Sequence, residues 1–162
     1  MVGKLILNCI HNKTNQQGAK NKMKVTYSTT IELPFASIYF KKEGYIHLHF
    51  KNHSTNLEES KKLFATVRKN SPWEKCPFLI SGEDFSSQDK ESKAFNTSEE
   101  VSKHMSAQAF IVSNSIQKIT VNFFVKMFKP AVPLKIFTNE AAAIQWLMLY
   151  VPNNTEAKKQ KQ

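Results

Sequence analysis

The 162 residues amount to one domain's length, and 41% hydrophobic content is ample for a core of ordinary size. The net charge of +10 sits mostly at the ends: eight lysines and Glu156 fall within residues 1–24 and 153–162, which leaves +3 for residues 25–152. No aromatics interleave with the tail lysines and no apolar run is long enough to span a membrane, so neither specific nucleic-acid binding nor a transmembrane segment is expected.

Residues 1–24 are rich in Asn and Lys and lack periodicity, so they read as a flexible extension, with Met23 as a second candidate start. The apolar residues 5–10 are too brief for a signal peptide, and a cytoplasmic location is expected. Cys9 and Cys76 match no redox or metal spacing. From residue 25 the composition turns to extended structure, with Tyr27, Thr29, Ile31 and Leu33 alternating along an edge strand before Pro34. Residues 36–40 and 45–50 follow as a hairpin turned at Gly44. On its second strand His47 and His49 share a face; with no third ligand in view, they read as a polar sheet face and not as a metal site.

Thr55 and Glu58 have capping-box spacing, and Leu57, Leu63, Phe64 and Val67 give the helix that follows a buried stripe. Trp73 closes the next loop against the core, and residues 77–80 form a short strand central to the sheet. Ser86 or Ser87 caps a helix running to about Phe95, and Thr97 with Glu100 opens a short helical segment containing Val101 and Met105.

Residues 109–112 are a continuous apolar run suited to a strand covered on both faces, and Asn114-Ser115 supplies a turn and a helix cap. The helix from Ile116 places Ile116, Ile119, Phe123, Phe124 and Met127 on a core face and Lys118, Asn122 and Lys126 opposite. Pro130 and Pro133 end it near Phe128. A strand at 134–137 follows. A last helix, capped by Thr138, buries Ala141, Ile144, Leu147, Met148 and Val151 and stops at Pro152. Phe137 and Trp146 are expected to be substantially buried. The alternation of strand and helix predicts parallel pairing.

Asn122-Phe123-Phe124, Lys129-Pro130, Pro133, Lys135, Phe137, Glu140-Ala141-Ala142 and Trp146-Leu147 resemble the closing segment of the bacterial SpoIIAA-like proteins. That STAS/Sec14-type family shares the fold of anti-sigma-factor antagonists, and the order of elements extends the resemblance over residues 39–151. It implies a single α/β domain at 25–152, with a mixed sheet of about four or five strands covered by about four helices. It implies no catalytic residues. At the position of the antagonists' phosphorylatable serine loop, residues 81–87 lack both the Asp-Ser-Ser-Gly pattern and the Asp-x-Arg of SpoIIAA-like relatives.

No nucleophile is flanked by an activating motif and four glycines build no phosphate-cradling loop, so no enzyme and no cofactor are expected. The expected role is a regulatory or protein-interaction domain, binding a protein partner or a second copy through Ser81, Gly82, Ser86, Ser87, Asn114 and Ser115. The alternative is a Sec14-like binder of lipid or another apolar small ligand, using Phe123, Phe124, Met127 and Phe128, which also suit a dimer contact. An apolar cavity between helix and sheet favours the ligand, whereas a solid core with an exposed apolar patch favours the partner.

Overall fold

Ile38 and Phe40 face inward beside Ile46, Leu48 and Phe50, and the chain reverses between the two sets at Gly44, whose φ of +104° suits glycine. A Cβ added there would stand 2.5 Å from Val151 Cγ1, so the close approach of the C-terminal segment also requires glycine. In the computed structural model, which describes residues 29–83, 88–128 and 130–152 apart from the side chains of Phe124 and Phe128, this hairpin is β2 (Ala36–Lys41) and β3 (Tyr45–Phe50). The expected tails at 1–24 and 153–162 lie outside the described residues, as do Ser86 and Ser87.

The remaining elements are β1 (Thr29–Glu32), α1 (Leu57–Asn70), β4 (Cys76–Gly82), α2 (Lys90–Asn96), α3 (Glu99–Ser102), β5 (Met105–Ile111), α4 (Ser115–Phe128), β6 (Leu134–Phe137) and α5 (Glu140–Leu147), with a 3-10 turn at Met148–Tyr150. The strands form one six-stranded sheet in sequence order. Pairing is antiparallel through β1, β2 and β3 and parallel from β3 to β6, so the sheet is mixed as expected, with the short β1 and β6 as edges. On one face Leu63 and Val67 of α1, Val101 of α3 and Val121 of α4 pack on Phe40, Phe78 and Phe110. On the other, Ala143 and Leu147 of α5 pack on Leu79, Ala107 and Ala109, where small residues let the helix approach closely.

Asn114 caps α4 as expected, its Oδ1 accepting the Gln117 amide, but the other cap positions differ from those expected. The capping box of α1 is Asn56 with Glu59 and not Thr55 with Glu58: Asn56 Oδ1 accepts the Glu59 amide at 3.0 Å and the Glu59 carboxylate accepts the Asn56 amide at 3.1 Å. Thr55 is buried instead, and its carbonyl accepts the Asp89 amide and the Ser92 hydroxyl. Asp89 caps α2. Thr97 ends α2, its hydroxyl bonded back to Lys93 and Ala94 carbonyls, so α3 starts from Ser98 without the expected box, and Met105 begins β5. Asn139, not Thr138, caps α5, which leaves Ala141 exposed; Phe137 and Trp146 are half-buried against each other, with ring centroids 5.8 Å apart.

The largest correction concerns α4. Ile116, Ile119, Phe123 and Met127, expected in the core, are 75%, 69%, 64% and 56% exposed. Among the described side chains of α4, Gln117 and Val121 face inward and Val125 is half-buried. Gln117 explains the rotation: its amide proton goes to Asn114 Oδ1, its side-chain oxygen accepts the Ser113 amide at 2.7 Å, and its Nε2 donates to the carbonyls of Gly82 and Glu83. Satisfying these backbone groups turns a polar residue inward and leaves the apolar stripe mostly in solvent, with Phe123 and Met127 at its flank still partly covered.

Candidate functional site

The layer of helices above the sheet leaves a gap beside α4. A cavity of about 400 Å³ lies between the sheet and α1, α2 and α4. Its floor is Leu48 and Phe50 of β3, Ile80 of β4, and Met105, Gln108 and Phe110 of β5. Leu63, Phe64 and Val67 of α1 form one wall, while Thr120, Val121, Phe123 and Met127 of α4 form another. Gln88, Lys90, Lys93 and Asn96 complete the rim from the α2 side, with Asn96 Nδ2 donating to Gln88 Oε1 at 3.3 Å.

Within this lining Ser60 is 1% exposed, and its hydroxyl has no hydrogen-bond partner. A buried hydroxyl left in that state costs about 1–3 kcal/mol. Gln108 is a second polar side chain on an otherwise apolar floor. An apolar pocket with a few convergent polar groups is the usual form of a small-molecule site. Sequence reading missed Ser60, Lys90 and Lys93. Its available signal was Ser60 itself, three residues before Leu63 and seven before Val67 on the same helical stripe, where an apolar residue would ordinarily stand.

The reverse face of the sheet carries a second polar cluster where β2 and β3 extend beyond α5. His47 and His49, two residues apart on β3, both reach Ser81 on the parallel neighbour β4, His47 Nε2 at 2.7 Å and His49 Nδ1 at 2.9 Å from the same Oγ. With one proton, the hydroxyl donates to at most one ring and accepts from the other. Burial, helped by the charges of Lys41 and His49, lowers His47 to about 4, so its ring is neutral near pH 7. Tyr39 packs on His47 with centroids 5.4 Å apart. Among the described residues no three His, Cys, Asp or Glu side chains are grouped to hold a metal ion.

The sequence candidates are partly brought together. Ser81 and Gly82 end β4, and Asn114 and Ser115 open α4; Gln117 ties the two segments through the Gly82 carbonyl. Ser81 is committed to the histidines on the opposite face from the cavity. Phe123 and Met127 stand at the cavity wall while remaining more than half exposed. No helix among the described residues is long and apolar enough to cross a membrane.

The domain family described as "Domain of unknown function (DUF7793)" matches residues 38–151, from the middle of β2 to the end of the last turn. The chain belongs to the DUF7793 family. The matched span of this DUF7793 domain includes the cavity and the His47–Ser81–His49 cluster, and omits β1. A crystal structure of an uncharacterized protein from the DUF3478 family with a SpoIIAA-like fold, from Shewanella loihica PV-4, is similar at 15% identity and a TM-score of 0.47, over 69% of this chain and 91% of that one. No curated protein matches the DUF7793 chain.

Proposed function

We propose that the domain is a non-enzymatic binding module that takes a small, largely apolar ligand in the cavity between α1, α2, α4 and the sheet. The observation that carries this reading is a cavity of about 400 Å³ lined chiefly by aliphatic and aromatic side chains, with Gln108 as a polar group on its floor. Its size falls within the range of about 300–1,000 Å³ usual for ligand pockets. Among the described residues the lining includes no histidine, carboxylate or cysteine, which favours binding over chemistry. The neutral fluorophore N-phenyl-1-naphthylamine tests the reading directly. It should bind the full chain with a rise in emission, and Val121→Trp, which fills the cavity from α4, should abolish that rise without unfolding the protein. Equal emission from the two proteins would place the probe elsewhere and remove the support.

A second reading, a protein-interaction domain, is favoured by one specific observation: the exposed stripe of Ile116, Ile119, Phe123 and Met127. A second copy covering that stripe would give a concentration-dependent dimer in sedimentation, lost in Ile119→Glu. A monomer at all concentrations would count against self-association.

A further inference from the structure

Polar and apolar parts of the cavity wall are segregated, and this separation identifies a class of ligand. The inference rests on the cavity reading above. Lys90, Lys93 and Asn96 of α2, with Gln88 just before it, make up one side, while sheet, α1 and α4 supply mostly aliphatic and aromatic side chains elsewhere. Among the described residues the lining therefore holds two ammonium groups and no carboxylate. Asp89 does interact with Lys93, one turn on, but it lies outside the lining and is committed to the Ser92 amide at 2.7 Å. Among the described residues neither lysine is held in an ion pair.

Lys90 is exposed and Lys93 half-buried, so both ammonium groups are placed where water meets the apolar interior. A wholly apolar ligand would leave that edge unused, and a cationic one would be repelled by it. A volume of about 400 Å³ is near the low end of ligand pockets, enough for one alkyl chain and too small for a two-chain lipid. We infer that the cavity takes a single-chain amphiphile with an anionic head, the head against Lys90 and Lys93 and the chain over Leu48, Phe50 and Phe110. The head keeps part of its hydration while gaining charge-assisted hydrogen bonds, and the chain leaves water altogether.

Displacement of N-phenyl-1-naphthylamine by four ligands sharing a twelve-carbon chain tests this on the full-length protein: dodecanoate, dodecyl phosphate, dodecanol and dodecylamine, each below its micellar concentration. At least one of the two anions should displace the probe at about tenfold lower concentration than dodecanol, as expected of one charged hydrogen bond, and dodecylamine should be weakest. The stronger anion identifies the head as carboxylate or phosphate. Lys90→Gln combined with Lys93→Gln should bring the anions to dodecanol's level and leave dodecanol itself unchanged. Equal displacement by anions and dodecanol in the unaltered protein, or anion binding indifferent to the double substitution, would overturn the anionic assignment while leaving the cavity reading in place. Absence of any probe binding would remove both.

Discussion

Gln117 Nε2 donates to the carbonyl oxygen of Gly82 at 3.1 Å, binding the first turn of α4 to the end of β4. A second bond from the same nitrogen to the Glu83 carbonyl, at 2.8 Å, and one from the Ser113 amide to Gln117 Oε1, at 2.7 Å, complete a three-bond clasp around a side chain that is 6% exposed. The clasp sets the rotation of α4, and through it both the open cavity and the exposed stripe.

Removing the clasp should be costly. Gln117→Ala strands backbone groups at both ends of the contact, and unpaired buried groups cost about 1–3 kcal/mol. Gln117→Glu should cost at least as much, because a carboxylate still accepts from Ser113 but cannot donate to two carbonyls. Urea denaturation of the three proteins checks this; equal midpoints would mean that α4 is held by other contacts.

The stripe itself should be dispensable for folding. Phe123→Ser and Ile119→Lys remove or replace side chains that are mostly in solvent, so each should change stability by no more than about 0.5 kcal/mol. Leu63→Ala in the core should cost about 2–5 kcal/mol. A loss of core size from Phe123→Ser or Ile119→Lys would show that the stripe is covered in solution.

The sheet was legible in the sequence because its strands are short apolar or alternating runs bounded by Gly, Pro and Asn, and residues 36–40, 45–50, 77–80 and 134–137 all lie in strands. The orientation of α4 was not. Its sequence carries two apolar series, one through Ile116, Ile119, Phe123 and Met127 and another through Val121 and Val125, and periodicity ranks the longer one first. The choice was made by Gln117, whose polar side chain is drawn inward by carbonyls 34 and 35 residues away in the chain. The same limitation hid the cavity, since a void exists only when three helices and a sheet are in place. The capping box of α1 fell one residue out of register because Thr55-Asn56 and Glu58-Glu59 offer two overlapping motifs of equal local quality.

That overlap makes a clean comparison. Asn56→Ala removes the side chain that caps α1 and should cost about 0.5–2 kcal/mol. Glu58→Ala removes only an exposed partner of Lys61, at 3.3 Å, and should change little. Thermal melts of the two variants decide the register, and a larger loss from Glu58→Ala would restore the box at Thr55.

His47 should make the fold sensitive to mild acid. Its ring is held at about 4, below the ordinary 6.5, chiefly because burial penalises the charged form and secondarily because Lys41 and His49 stand nearby. The unfolded chain therefore takes up a proton near pH 6.5 while the folded chain resists until about 4. The stability tied to a neutral ring is complete above pH 6.5 and drains away as pH falls towards 4. After discounting for the ring's partial exposure, that loss is about 1–2 kcal/mol. His47→Gln keeps a hydrogen-bonding group beside Ser81 and does not titrate, so its stability should fall less between pH 7 and pH 4.5 than that of the unaltered protein, by about that amount. Glu32, lowered mainly by its bond to Lys51, and Asp89, lowered mainly by its bond to Ser92, also favour the folded state less in acid, but they act equally in both proteins and cancel from the difference. Parallel stability curves for the two proteins over this range would show that His47 is freely protonated in the folded state.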